Sequence, residues 1–291
     1  MKKTVLFFII TLSAVMSTAR LDAQSVPQRE TVLIDRFDKV RGVPTAYVEI
    51  LRDKVIRAFL ERGRTKVIDA ATMRMLPVVS RREWLSDILW QSDYESRLLT
   101  KAADIDDNDI RYIISGAVLD YKFEHKTIDG KQGYRTSLTL ALTGYDRQTG
   151  TLFPIQHFSL SGEDIKADKA DAKAVDDLNP VSLEWFIDKN IKFECGVLEL
   201  GPMNRKNVIK ECYIHCGSDI GVHRGDLFAV FAYKTVGGIA TRERIGKLRV
   251  KEVQSGEVSL CTISNGREKI VSAMNAGKPL VAVSDGQAFF N

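Results

Sequence analysis

The sequence predicts an α+β protein: an N-terminal α/β domain with a mixed sheet, followed by a small all-β barrel-like domain. Up to about residue 195, short apolar runs alternate with amphipathic stretches of helical period. The remaining residues show short strand patterns between glycine-rich turns. Together with an apolar start, these patterns predict a signal peptide at residues 1–23, the α/β domain at 24–196 and the β domain at 197–291.

The α/β domain begins with a buried strand and an amphipathic helix. Residues 31–37 form an apolar run that is typical of a buried strand, and Pro44 can occupy the first turn of a helix. Apolar residues then recur at three- and four-residue steps, at Val48, Leu51, Val55 and Phe59. Gly63 follows the last turn, where glycine commonly ends a helix, and residues 65–69 form the next strand.

Three strands in series follow a helical stretch that Pro77 interrupts. We place these strands at residues 111–125, 134–145 and 151–160. Because short polar turns join them, they are expected to be antiparallel. Residues 167–177 are charged and rich in alanine, which indicates a solvated loop or a weak helix. A further helix begins at Asn179-Pro180 and reaches about Glu194.

The β domain contains five predicted strands. They lie at residues 208–216, 227–234, 245–253, 258–263 and 280–283. Five short strands in so few residues favour a small barrel or a sandwich. Gly217, Gly221 and Gly225 fall between the first two strands, and a strand rather than a helix follows them. They are therefore predicted to be turn glycines and not a phosphate-binding loop, which requires a helix N-terminus.

The N-terminus carries the three parts of a secretory signal. Lys2 and Lys3 precede an apolar stretch over residues 4–15, and Ala23 provides a small residue before Gln24. The apolar stretch is shorter than the roughly 20 residues that a membrane-spanning helix needs. Cleavage after Ala23 removes three basic residues and one acidic residue, so the net charge falls from +4 to +2. This near-neutral balance gives no support for nucleic-acid binding. Because of the secretory signal, the periplasm is the expected location.

No catalytic, cofactor-binding or metal site is predicted. The sequence contains no glycine-rich nucleotide loop, paired-histidine zinc helix or serine elbow. Asp104, Asp106 and Asn108 match the first ligand positions of a calcium loop. Asp109 and Ser115 then stand where that loop requires glycine and a bidentate glutamate, so a polar connection is the preferred interpretation.

Four cysteines lie in or next to the β domain. Cys212 and Cys216 are four residues apart, which on an extended strand separates their Cα atoms by about 13 Å. Because a disulfide requires Cα atoms within about 7 Å, these two are not expected to pair with each other. Cys261 could meet either of them, and Cys195 could meet the one that remains. An oxidising envelope favours one or two disulfides, whose connectivity the sequence leaves open.

Motifs in both domains follow known patterns. Residues 111–118 read as a strand with an aromatic residue, two apolar residues, a small residue and glycine, and residues 141–153 read as strand, Asp-x-x-Thr-Gly turn and strand. These segments resemble the CsgG-like and TolB N-terminal domain families, whose order of elements agrees over residues 30–195. The run Gly217-x3-Gly221-Val222-x2-Gly225-Asp226-Leu227-Phe228, with residues 245–250, resembles the C-terminal domain of the FlgT family.

The resemblance implies assembly or secretion work, such as curli-type secretion, in a Gram-negative envelope and no catalytic site. The CsgG channel is anchored through a lipidated cysteine and inserts hairpins into the outer membrane. This chain has no cysteine near the cleavage point, and residues 167–177 are short and charged. A soluble periplasmic relative is therefore favoured, with envelope proteins or further copies of itself as partners and with peripheral outer-membrane association.

The combined expectation is a non-enzymatic periplasmic accessory in the assembly or secretion of an envelope structure, acting through protein–protein contacts. The alternative is a module that binds glycan or peptidoglycan fragments. Such a module requires exposed aromatic side chains, for which Trp84, Trp90 and Trp185 are the candidates. Each of the three falls in an apolar helical pattern, which favours packing against the sheet instead.

Overall fold

A computed structural model describes residues 27–71, 109–203, 205–206 and 208–287. The chain divides into two units, Glu30–Ile187 and a second that runs from Asp188 onward and includes Arg29. The first contains a seven-stranded mixed sheet and the second a closed six-stranded barrel, which confirms the predicted α+β class. Within the described residues, no helix combines the length and the apolar character needed to cross a membrane.

Several predictions concern residues outside the described ranges. They are the signal peptide at 1–23, the helical stretch that contains Trp84 and Trp90, and the calcium-like positions Asp104, Asp106 and Asn108. All three stay predictions.

The first sheet combines a parallel half with an antiparallel half. Its strands are β1 (Glu30–Ile34), β2 (Asp38–Lys39), β3 (Thr65–Asp69), β4 (Ile110–Ile128), β5 (Lys131–Asp146), β6 (Thr151–Leu152) and β7 (Gln156–Asp164). β1 runs parallel to β3 and β4, and β2 runs parallel to β4. β5 is antiparallel to β4, β6 and β7, as the sequence predicted for this series. The predicted third strand is divided, because residues 153–155 separate β6 from β7.

β4 and β5 are longer than their patterns indicated and form one extended hairpin. Their ladder runs from Tyr112 opposite Asp146 to Ile128 opposite Lys131. The turn consists of Asp129 and Gly130, whose φ angles of 48° and 76° suit a two-residue hairpin turn.

Three helices belong to this part of the chain: α1 (Thr45–Arg62), α2 (Ala167–Asp176) and α3 (Pro180–Asn190). α1 ends where the sequence predicted, because Gly63 takes a φ of 68° and donates its N–H to the Phe59 carbonyl. α2 covers the stretch for which a loop or a weak helix was predicted. Its buried residues are small, Ala170, Ala174 and Val175, which is why its apolar face is inconspicuous in the sequence.

The Asp171 carboxylate on α2 accepts hydrogen bonds from three hydroxyl groups of neighbouring elements. Tyr47 of α1 donates to it over 2.6 Å, Tyr121 of β4 over 3.4 Å and Thr136 of β5 over 2.5 Å. Burial and the adjacent Asp171 carboxylate raise the pKa of Tyr47 and of Tyr121 above the ordinary tyrosine value, so both remain hydrogen-bond donors. These bonds fix α2 against α1 and the sheet.

The close approach of α2 to β7 depends on Gly162. A Cβ atom at this position would overlap the carbonyl oxygen of Ala170 and the amide nitrogen of Ala174, both of which are backbone atoms of α2. Backbone atoms cannot move aside as the end of a long side chain can, so the helix must shift to admit a methyl group.

We predict that Gly162→Ala lowers the free energy of unfolding by about 1–3 kcal/mol, the usual range for overpacking a well-packed core. Urea denaturation followed by circular dichroism measures this change. Ser161→Ala is the matched control, because Ser161 is exposed on the same strand and should tolerate the change. Equal stability of the Gly162→Ala and Ser161→Ala variants would contradict the packing argument.

The second unit is a barrel closed by six strands. They are β8 (Glu194–Leu200), β9 (Glu211–Ile214), β10 (Asp226–Val236), β11 (Ile239–Val253), β12 (Ser259–Asn265) and β13 (Leu280–Gln287). The order around the barrel is β10, β11, β12, β9, β8 and β13, and β13 pairs with β10 to close it. Five of these strands were expected from the sequence; β8 falls in the segment predicted to be the end of a helix and the domain boundary.

A short helix, α4 (Arg267–Asn275), was not predicted. Its only fully buried residue is Ile270, and Ala273 and Met274, three and four residues later, pack partly buried against the barrel core. The apolar pattern is short because the helix has nine residues. Gly266 precedes it with a φ of 73°. Ile270 contacts the barrel at Gly246, where a Cβ atom would meet the Ile270 side chain.

Candidate functional site

The four cysteines meet inside the barrel as free thiols. Cys195 lies on β8, Cys212 on β9 and Cys261 on β12, and Cys216 lies just after β9. Cys212 and Cys261 are directly opposite each other in the β9–β12 ladder. Cys195 Sγ is 2.8 Å from Cys216 Sγ, longer than the about 2.05 Å of a disulfide bond. The disulfide prediction is therefore wrong: the barrel brings the sulfur atoms together but holds them as thiols.

Burial raises the pKa of three of these thiols and so keeps them protonated. It raises the pKa of Cys212 to about 12, and the neighbouring Cys195 adds to the effect. Burial likewise raises the pKa of Cys216 and of Cys261 well above the ordinary value. Because the thiolate is the reactive form, these cysteines act as apolar core residues in the folded state. In the part of the chain that the structure describes, no group of three or more potential ligands is arranged to hold a metal ion.

We predict four titratable thiols in protein that is purified without reductant and then unfolded in guanidinium chloride. The folded protein should react only slowly with Ellman's reagent near pH 8, because all four cysteines are buried and the pKa of about 12 leaves Cys212 little thiolate at that pH. Comparing the rate and the final absorbance of the folded and unfolded samples measures both quantities. Fewer than four thiols after unfolding, or an immediate reaction of the folded protein, would contradict this prediction.

Gly217, Gly221 and Gly225 lie in the connection between β9 and β10. Gly221, with a φ of 67°, ends the short 3-10 helix Ser218–Ile220, and Gly225, with a φ of 96°, precedes β10. Both occupy the left-handed region that favours glycine. The amides of Ser218 and Asp219 donate to the carbonyls of Ser255 and Gly256, over 3.2 and 3.0 Å. These amides serve the loop's own backbone rather than an anion.

A polar cluster lies beyond the carboxyl ends of β1 and β3, where parallel sheets often bind ligands. Arg52 of α1 is only 2% exposed, forms an ion pair with Asp69 and donates to the Asp35 carbonyl over 2.9 Å. The Asp35 carboxylate accepts a hydrogen bond from Ser115 over 3.2 Å. Each of these contacts joins two elements of the first unit, so the cluster has a structural role.

A β-hairpin of the barrel projects beyond its neighbours. Among the described strands, β10 pairs with β13 only as far as Ala232, and β11 pairs with β12 only from Lys247. Residues 233–246 therefore pair only within the hairpin. Gly237 and Gly238 form its two-residue turn with φ angles of 59° and 84°, the left-handed values that a type I′ turn requires.

The tip of this hairpin is apolar and exposed. Val236 and Ile239 are directly opposite each other beside the turn and are 57% and 70% exposed. No charged residue occurs between Lys234 and Arg242. Adjacent exposed aliphatic side chains at the end of a projecting element are a surface that a partner can cover. We call Val236 and Ile239 the hairpin tip.

Ion pairs connect the two strands of the projecting hairpin to each other and to neighbouring strands. The pairs are Lys234–Glu243 at 3.0 Å, Arg242–Glu194 at 2.5 Å and Arg244–Asp285 at 3.3 Å. The Arg242 guanidinium also lies over the Tyr233 ring, 5.3 Å from its centre. The hydrogen bond from Lys234 lowers the pKa of Glu243, which keeps that carboxylate ionised.

A groove of about 440 Å³ runs beside the hairpin. Its walls include Ala232 and Lys234 of β10 and Lys269 and Ala273 of α4. Val236 follows Ala232 and Lys234 at two-residue steps, so the hairpin tip continues the face that lines the groove. The tip and the groove together form one surface with an apolar end and a flank that carries both lysine and glutamate side chains.

This hairpin was not predicted, because the predicted strands end at residue 234 and begin again at residue 245. The signal was present: Gly237-Gly238 separates β-branched residues on both sides, which is a strong pattern for a two-residue hairpin turn. The intervening segment was predicted to be a glycine-rich connection.

Trp185 is the only one of the three tryptophans considered for glycan binding that lies among the described residues. It lies on α3 and is 39% exposed.

Comparisons with known proteins found similarity in solved structures only. No family model matches the chain, and no curated protein matches it significantly. The PelC dodecamer from Paraburkholderia phytofirmans is 14% identical over 54% of this chain and 93% of PelC, with a TM-score of 0.29. A lipoprotein from Neisseria meningitidis is 10% identical over 47% of this chain and 85% of its own, with a TM-score of 0.29.

A protein of the DUF330 family from Xanthomonas campestris gives a similar result. It is 10% identical over 56% of this chain and 87% of its own, with a TM-score of 0.32. These values describe a partial overlap of the backbone and assign neither a family nor an activity to this chain. The resemblance to the CsgG-like, TolB and FlgT families stays a prediction.

Proposed function

We propose that this chain is an exported, non-enzymatic envelope protein that assists the assembly or secretion of an envelope structure. It does so by binding other envelope proteins, or further copies of itself, through the hairpin tip. The observation that carries the proposal is the projection of the β10–β11 hairpin, whose exposed Val236 and Ile239 have no role in the barrel core. Covering these side chains would remove apolar surface from water, the main driving force of protein association.

Export is supported by the sequence at the N-terminus. A basic start, an apolar stretch and Ala23 before Gln24 have the order of a cleaved signal. A non-catalytic role is supported by the use of the polar groups and the cysteines: Asp171 and Arg52 hold elements together, and the four cysteines are buried in the barrel core.

The contact is tested by photo-crosslinking in cells. A photoreactive amino acid at position 239 should form defined adducts with envelope proteins or with a second copy, because Ile239 is the most exposed apolar residue of the hairpin. The same group at Leu60, which is 58% exposed on α1, is the matched control and should give few adducts. Mass spectrometry of the adducts identifies the partners.

The double substitution Val236→Ser with Ile239→Ser is tested with the photoreactive group at the neighbouring Thr235. It should abolish the adducts that the same group at 235 forms in the protein with the hairpin tip unchanged. The stability of the barrel should be unchanged, since both side chains project into solvent. Equal adducts at positions 239 and 60, or no adducts at 239 in a protein that reaches the envelope, would contradict the hairpin contact. N-terminal sequencing of the protein from a periplasmic fraction tests export separately, with Gln24 as the expected first residue.

A further inference from the structure

The outer part of the β4–β5 hairpin carries three aromatic rings in direct contact. The rings of Phe123 and Tyr134 are stacked with centres 5.2 Å apart and an interplanar angle of 22°. The His125 ring lies 5.0 Å from Tyr134 and 6.5 Å from Phe123. Phe123 is 41% exposed and His125 is exposed as well. We call these three residues the aromatic platform.

The two faces of this hairpin differ in chemistry. The face with the platform carries only aromatic and uncharged polar side chains near its end: Tyr121, Phe123, His125 and Thr127 of β4, with Gln132, Tyr134 and Thr136 of β5. The opposite face carries charges, among them Lys122, Glu124, Lys126 and Arg135. The strands alternate, so the chain places every one of these lysine, arginine and glutamate side chains away from the platform.

The border of the platform is also electrically balanced. Asp164 of β7 lies opposite Tyr134 on the same face. Lys173 of α2 forms an ion pair with it over 2.7 Å, and the amide of Lys166 donates to it over 3.1 Å. The carboxylate is therefore already satisfied at the edge of the aromatic surface and does not make the surface acidic.

We propose that the aromatic platform binds a neutral carbohydrate chain. The apolar C–H face of a sugar ring packs on an aromatic ring, while the sugar hydroxyls require hydrogen-bonding groups around it. The Tyr134 hydroxyl, the Thr127 hydroxyl and the Gln132 amide are groups of that kind beside the rings. A nucleic acid or a charged peptide would instead select a surface with opposite charge, which this face lacks.

Aromatic pairs across strands also stabilise a hairpin, so binding and stability must be separated. Isothermal titration calorimetry of the purified protein with two probes makes the first measurement: the tetramer of β-1,4-linked N-acetylglucosamine and the tetramer of β-1,4-linked glucose. We expect saturable binding of at least one of them. Phe123→Ala and Tyr134→Ala should each weaken that binding at least about tenfold.

Phe123→Leu keeps apolar bulk in the hairpin but removes the ring. It should melt close to the wild-type temperature and still lose binding, which a purely structural role of Phe123 would not produce. Glu124→Ala, on the opposite face of the same strand, is the matched control and should bind within about twofold of the wild type.

The double variant Val236→Ser with Ile239→Ser should bind the oligosaccharide like the wild type, because the platform and the hairpin tip belong to different units. The hairpin-tip contact and the carbohydrate site can therefore fail independently of each other. Three results would overturn the carbohydrate site: no saturable binding of either tetramer, full binding by Phe123→Leu, or binding of an uncharged aromatic peptide in place of both sugars.

Discussion

A single β-bulge decides which side chains the long β4–β5 hairpin presents on each face. The register shifts by one residue between Val118 and Asp120, so the alternation of β4 is reversed beyond that point. Val118 lies opposite Leu140, and after the bulge Tyr121 lies opposite Leu138 on the same face. Without the shift, the charged residues of β4 would face α2, and Tyr121 would not reach Asp171.

The bulge therefore determines which side chains of β4 lie on the face that α2 partly covers. Near the bulge, Tyr121 and Thr136 donate to Asp171, and Gly162 lets α2 lie directly on β7. Farther along the hairpin the same row of side chains continues as Phe123 and His125, which are exposed. The exposed rings are thus an extension of a face that the helix covers elsewhere, which explains why they are aromatic but unburied.

The sequence predicts best what local chemistry determines. α1 was placed correctly because Gly63 and the three- and four-residue apolar steps are local signals, and the series β4, β5 and β7 followed from alternation and turns. α2 buries small residues, such as Ala170 and Ala174, and α4 has only nine residues with Ile270 fully buried, so neither helix has a conspicuous apolar face in the sequence. The positions of the cysteines depend on strand pairing: β8 pairs with β9, which brings Cys195 to Cys216, and β12 pairs with β9, which places Cys261 opposite Cys212. Because β8 was not predicted as a strand, the first of these contacts could not be foreseen.

The two proposed surfaces differ in a way that fits their ligands. The hairpin tip is aliphatic and lies beside the Gly237-Gly238 turn. Its side chains have no hydrogen-bonding groups, so they suit the apolar side chains of a protein partner. The aromatic platform lies along the flank of a hairpin and combines flat rings with hydroxyl and amide groups. A flat aromatic ring can pack on the apolar C–H face of a sugar ring, and the hydroxyl and amide groups around it can bind the sugar hydroxyls. An envelope protein that contacts both a protein assembly and a neutral glycan would need both kinds of surface, and each unit of this chain supplies one.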